Sequence, residues 1–240
     1  LNDETEATRS ALAEDEALQE ATLSAALVSV FRGKFCDVLL PGRSKVPFDK
    51  GAVLYDVGDK DRNVFFIHSG FVKVGTILAN GREIIYDIRK GGDVAGELCA
   101  GQVPRRDRAV ALEKSLVVPV PFSDIVGTLQ NNPTVLVKLV ETFCDCLANA
   151  YEQINTLAEH DILHRLANAL TDLAAKVGRR VNDTTEIPVY LTQEEISQMV
   201  AARRERVSTA MSLLRRRGVI SYSNHGNLLI NMPALQDIRG

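Results

Sequence analysis

Between Leu136 and Leu157 the apolar residues Leu136, Val140, Phe143, Leu147, Ala150, Ile154 and Leu157 recur at alternating steps of four and three. That spacing holds one narrow seam on one side of an α-helix for three heptads, and no strand pattern satisfies it. A helix packing on its own globular core shows a wider apolar face. The seam therefore predicts a dimerisation helix over residues 133–160. With no second heptad segment in the chain, the expected partner is a second copy, giving a parallel homodimer with these seven residues at its interface; packing of the helix against its own domain is the alternative.

The texture differs on the two sides of this helix. Over residues 31–132 short apolar runs alternate with glycine turns. The runs are Ala52–Tyr55, Val64–His68, Phe71–Leu78, Ile84–Ile88 and Leu116–Val120, and the turns include Lys50-Gly51, Gly58-Asp59, Ser69-Gly70 and Gly91-Gly92. Several short strands at close spacing predict an all-β barrel or roll. Asn80-Gly81 is the strongest hairpin signal, expected as a type I′ turn with positive φ at both residues.

Residues 161–240 read differently again. A helix is expected over roughly Ile162 to Val177, then Gly178 and a polar loop containing Pro188. Thr192 and Glu195 form a T-x-x-E capping box, so a helix starts there and runs to the tight turn at Ala201-Ala202. A second helix, about Arg203 to Arg217, buries Val207, Ala210, Met211 and Leu214 at helical spacing and ends at Gly218. Val219–Tyr222 and Asn227–Ile230 then read as a small hairpin. Two short helices across a tight turn followed by a β-wing make a winged helix-turn-helix. The fold class is thus α+β: a β-roll, a long helix and a C-terminal winged helix-turn-helix.

Charge follows the same division. The first twenty residues carry Asp3, Glu4, Glu6, Glu14, Asp15, Glu16 and Glu20 against Arg9, so residues 1–30 form an acidic extension. Arg203, Arg204, Arg206, Arg215, Arg216 and Arg217 face Glu205 alone within residues 203–217. This basic stretch in a chain of net charge −3 points to a C-terminal nucleic-acid surface, with a solvated helix face as the alternative on charge alone. With no Trp and 5% aromatic residues, reading single strands by base stacking is excluded. No apolar stretch approaches the roughly 18 residues of a membrane span, and the acidic N-terminus does not read as a secretory signal. Four cysteines do not make a disulfide framework, so the expected compartment is the reducing cytoplasm.

In order and spacing, these motifs resemble the CRP/FNR family of bacterial transcription regulators over about residues 30–235. Leu191-Thr192-Gln193-Glu194-Glu195-Ile196 to Arg204-Glu205-Arg206-Val207-Ser208 is similar to the family's helix-turn-helix. Ser69-Gly70-Phe71-Val72-Lys73-Val74, Gly91-Gly92-Asp93 and Gly96-Glu97-Leu98 are similar to its cyclic-nucleotide-binding β-roll. The resemblance implies a dimeric regulator without catalytic activity, binding a palindromic operator. Its partners would be double-stranded DNA, its own copy and, in an activator, RNA polymerase. Thr192, Gln193, Arg203, Arg204, Glu205, Arg206, Ser208 and Thr209 are the expected DNA-binding residues. Arg204 can give two hydrogen bonds to guanine and Glu205 can accept from cytosine. Thr209 stands where relatives often have a base-reading arginine, and Arg203 replaces the usual Ser/Thr cap.

For the effector, the resemblance implies a phosphate cassette built on Gly96, Glu97 and Leu98, followed by Arg105. Arg106 adds a second positive charge beside it, and a mutual Glu97–Arg105 ion pair is the bland alternative. Ala150 and Tyr151 fall where cAMP-binding members face the purine base. A cyclic nucleotide or another small anion is the candidate ligand. Haem at His68 ranks lower because that residue reads as the end of a strand, and an iron–sulfur cluster on Cys36, Cys99, Cys144 and Cys146 because no ligand spacing recommends it. No metal site is expected, since His160 and His164 lie far from Cys146 along one helix. The alternative functions are a cyclic-nucleotide-binding regulatory module and a redox- or haem-responsive regulator.

Overall fold

The computed structural model describes residues 39–97, 104–131 and 161–239, together with individual positions between 133 and 154. The N-terminal half is a roll of two antiparallel sheets. Its strands are β1 (Val46–Phe48), β2 (Val53–Tyr55), β3 (Asn63–Ser69), β4 (Phe71–Ile77), β5 (Glu83–Lys90), β6 (Val94–Ala95), β7 (Arg108–Ala111) and β8 (Ser115–Pro121). The sheet orders are β1-β8-β3-β6 and β2-β7-β4-β5. Side-chain alternation explains the packing. Phe65 and Ile67 of β3 face the interior with Tyr55, Val72, Val74 and Val117. Val64 and Phe66 face the other way, onto Ile125 and Leu129 of helix α1 (Phe122–Gln130).

Two sequence features acquire local explanations. Pro119 and Pro121 interrupt the β8 run, yet β8 continues through them, paired with β3 at Phe65 and Asn63. The β1 pairing ends at Val117, so the prolines sit where one edge of the strand needs no ladder donor. The expected type I′ turn is corrected. Gly81 has φ +78°, but positive φ among described non-glycine residues is confined to Asn182 and Ala201. Asn80 Oδ1 instead accepts from Arg82 N at 3.1 Å, and Gly81 N donates to Leu78 O at 2.9 Å. The connection is therefore a wider loop over 78–82 that needs a single left-handed residue.

Between 133 and 154 the described positions are helical. Leu136, Val140, Leu147 and Ile154 of the seam are between 47% and 59% exposed in the single chain. Phe143 and Leu157 lie outside the described residues, as does the extension 1–30.

The C-terminal half contains α2 (Ile162–Val177), β9 (Arg179–Val181), β10 (Thr184–Glu186), α3 (Gln193–Met199), α4 (Arg204–Arg216), β11 (Ile220–Tyr222), β12 (Leu228–Ile230) and α5 (Met232–Arg239). Asp161 caps α2, accepting from Leu163 N at 2.8 Å and His164 N at 3.0 Å. The polar loop expected after Gly178 is corrected in part. Its first half is a hairpin, β9–β10, that joins β12 and β11 in one sheet of order β11-β12-β10-β9. The core of this half holds Leu166, Leu170, Val207, Leu214, Ile230 and Leu235. Ile85, Ile88 and Leu112 of the roll belong to the same cluster, so apolar contact through β5 joins the halves.

Candidate nucleic-acid interface and effector pocket

The capping box forms with both arms. Thr192 Oγ1 accepts from Glu195 N at 3.1 Å, and Glu195 Oε2 accepts from Thr192 N at 2.8 Å. The same Glu195 oxygen also accepts from the Thr192 hydroxyl at 2.8 Å. Ala201 at φ +48° turns the chain, and Ala202 N donates to Ser197 O. This places Arg203 as the N-cap of α4 with no side-chain cap hydrogen bond, as expected for an arginine there. The first amides of α4 thus keep their donors and the helix dipole for an external anion.

Val207, Ala210, Met211 and Leu214 are buried, and they fix which face of α4 turns outward. Arg203, Arg204, Glu205, Arg206 and Thr209 are exposed, Ser208 is half-buried, and Gln193 is half-buried at the start of α3. Thr209 donates from its hydroxyl to Glu205 O at 3.0 Å, which leaves it as an acceptor and a methyl toward a partner. In front of the α4 N-terminus lies a cleft of about 560 Å³ lined by Arg82 and Glu83 of the β4–β5 hairpin and by Arg203, Arg204 and Glu205. Arg82 donates to Ala202 O at 3.5 Å. Sequence reasoning missed Arg82, because nothing local indicates that a hairpin tip meets a helix turn 120 residues away.

In the roll, Gly96 is at φ +84°, and a Cβ there would lie 2.9 Å from an Arg105 nitrogen and 3.1 Å from Asn63 O. Glycine is therefore required where the backbone meets the arginine. Arg105 is 4% exposed. Its Nε and one terminal nitrogen each lie 2.9 Å from an Asp61 oxygen. Asn63 O and Gly96 O accept further bonds, and Tyr55 stacks beneath the guanidinium at 4.0 Å. Hydrogen bonds from Arg105 hold Asp61 below its ordinary carboxylate value, although partial burial opposes them. Burial, reinforced by Asp107 and Glu97, pushes the Tyr55 phenol up, so it stays protonated and donates to Asp107 at 2.7 Å.

Glu97 and Arg105 do not pair with each other. Glu97 Oε1 accepts from Arg89 at 3.0 Å, while its Oε2 is buried and has no hydrogen-bond partner among the described residues. Arg106 is exposed, and its carbonyl accepts from Thr76 Oγ1. Ala150 and Tyr151 are exposed on the helix, and Leu98 lies outside the described residues. Cys144 is exposed, while Cys36, Cys99, Cys146 and His160 lie outside the described residues. His68 Nε2 is 2.9 Å from Lys45 Nζ. His164 meets Asp161 rather than another ligand-type histidine. The sequence did not reveal Asp61 or Arg89 as partners, because both contacts are made by tertiary folding.

A β-roll with a glycine–glutamate cassette, an apolar-seamed helical segment and a winged helix-turn-helix define a ligand-sensing, DNA-binding class of regulator. The chain matches the cyclic nucleotide-binding domain over residues 45–132 and the Crp-like helix-turn-helix domain over residues 164–238. It belongs to the CRP/FNR family of transcription regulators. It is 26% identical to the anaerobic regulatory protein of Pasteurella multocida, over 82% of this chain and 72% of that one. It is 28% identical to the CRP-like cAMP-activated global transcriptional regulator of Mycobacterium tuberculosis, over 79% and 85%. Among solved structures, FixK2 from Bradyrhizobium japonicum shares the fold with a TM-score of 0.71 and 21% identity, covering 82% of this chain and 98% of that chain. A CooA mutant from Carboxydothermus hydrogenoformans aligns with a TM-score of 0.70 and 23% identity, covering 89% and 95%. These relatives are regulators rather than enzymes. No helix among the described residues is long and apolar enough to cross a membrane.

Proposed function

We propose that the protein acts in the cytoplasm as a homodimer that reads a palindromic operator through α4, with RNA polymerase as its further partner where it activates. The observation that carries the reading is the N-terminus of α4. Its amides lack a side-chain cap, and Arg203, Arg204, Glu205 and Arg206 stand exposed above a fully packed stripe. Arg204 and Glu205 read bases, Arg203 and Arg206 meet phosphates, and Thr192, Gln193, Ser208 and Thr209 border the contact. The exposed apolar positions of the seam support the dimer, because burying them against a second copy removes apolar surface from water.

The roll is the sensor, with a small anion or nucleotide as its effector. Gly96, Glu97 and Arg105 are the residues that such a ligand would meet, with Leu98, Arg106 and Tyr151 as further candidates from the family resemblance. Tyr151 is too bulky to leave the usual purine position unchanged, so plain cAMP binds weakly.

Titration of operator and random DNA with Arg204→Ala and Arg206→Ala variants tests the reading. Arg204→Ala is expected to lose about 1–3 kcal/mol on the operator and to relax preference at one G·C pair in each half-site. Arg206→Ala should weaken both DNAs alike and flatten the salt dependence. Equal losses on both DNAs for Arg204→Ala would reduce that residue to a phosphate contact.

A further inference from the structure

Four side chains form a continuous chain of ion pairs from the cassette to the DNA-binding half. Glu97 Oε1 accepts from Arg89 at 3.0 Å, Arg89 Nε lies 3.0 Å from Asp87 Oδ2, and Lys176 Nζ donates to Asp87 Oδ1 at 2.6 Å. Lys176 is in the last turn of α2, and Lys90 Nζ donates to its backbone carbonyl. The side chains of Glu97, Arg89 and Asp87 are 17%, 11% and 13% exposed, so solvent screens their interactions weakly. Burial would push Asp87 up, but the charges of Arg89 and Lys176 outweigh it and hold it down.

The chain has the layout of a transmitter. Arg89 is shared between two carboxylates, and Asp87 is shared between two cations. A change in what Glu97 takes from Arg89 therefore alters what Arg89 gives to Asp87, and then how firmly Asp87 holds Lys176. Glu97 stands at the ligand end, with Oε2 buried and, among the described residues, without a hydrogen-bond partner. The α2 end is seated beside Ile85 and Ile88, which share the DNA-binding core. A shift of Lys176 thus moves α2 against β5 at the junction of the two halves.

We propose that Arg89, Asp87 and Lys176 are positioning residues that report the state of Glu97 to the DNA-binding domain. Drawing Glu97 away from Arg89 tightens Arg89 on Asp87, loosens Lys176 and changes the seating of α2, hence operator affinity. The proposal rests on the operator-binding reading given above.

A mutant cycle on the 240-residue chain tests it, using a duplex that the wild-type protein selects from a random pool. Glu97→Gln, Lys176→Met, the double variant, and Glu97→Gln combined with Lys176→Arg are compared by fluorescence anisotropy. Glu97→Gln is expected to shift operator Kd by about threefold or more when residue 176 is Lys or Arg. The shift should vanish when residue 176 is already Met, although Glu97 and Lys176 share no direct contact. The same factor in every background, or no shift in any, overturns the relay. A protein that selects no duplex overturns the operator-binding reading itself, before any variant is made. Should Glu97→Gln fail to fold by circular dichroism, Glu97→Asp enters the same cycle. It keeps the charge but shortens the reach to Arg89.

Discussion

Arg105 and Asp61 form a two-point salt bridge, with each of two guanidinium nitrogens 2.9 Å from a different carboxylate oxygen. The arginine is buried and the aspartate lies at the edge of the roll, so the pair orients Arg105 and compensates its charge at the same time. On the proposed effector reading, an anionic ligand entering beside Gly96 would share this guanidinium with Asp61.

Asp61→Asn tests that competition. It should lower stability by about 1–2 kcal/mol, because a buried cation loses its charged acceptor while Asp61's partial exposure limits the loss. It should also strengthen binding of cAMP or inorganic phosphate, measured by calorimetry. Equal anion affinity in wild type and variant would mean that Asp61 does not compete. The pH dependence has a definite sign. Asp61's folded pKa is depressed, so its stabilisation is present above the unfolded carboxyl value of about 4 and is lost as pH falls through the lower folded value. The stability gap between wild type and Asp61→Asn should narrow in that acid range. A gap that stays constant to pH 2 would contradict the ion-pair account.

The seam makes a prediction about assembly. Val140 and Leu147 are each more than half exposed in the single chain. Replacing both with Glu would place like charges across the two-fold axis, and sedimentation should then show monomers. A dimer that persists would mean these residues face elsewhere.

The Thr192 hydroxyl is engaged twice by Glu195, as acceptor from the Glu195 backbone amide and as donor to its carboxylate. Thr192→Ala should therefore cost about 1 kcal/mol of folding stability. Thermal unfolding reads this loss, and an unchanged Tm would mean that the box contributes nothing measurable.

What the sequence made legible follows from how local each signal is. The Thr192–Glu195 box spans three residues, the α4 stripe repeats every turn, and the roll's apolar runs alternate between glycines. All three are visible in short windows. Strands β9 and β10 were hidden, because Arg-Arg-Val and Thr-Thr-Glu carry no apolar alternation and gain their place by pairing, β10 with β12 and β9 with β10. Helix α5 was also missed: it is short, with Pro233 near its start, and it is held by burying Leu235 in the core. The Arg105–Asp61 and Lys176–Asp87 pairs span 44 and 89 residues. Charge order along the chain cannot choose such partners, because each acid has many basic residues within reach until the sheets form.

Selection of duplex DNA from a random pool by the 240-residue chain is the decisive test of operator reading. A dimer reading through two copies of α4 should enrich an inverted repeat whose half-site centres lie about one helical turn, or 10 base pairs, apart. Each half-site should carry the G·C pair that Arg204→Ala stops distinguishing. Enrichment of a single unrepeated site, or a pool that remains random while binding falls steeply with salt, would contradict the account.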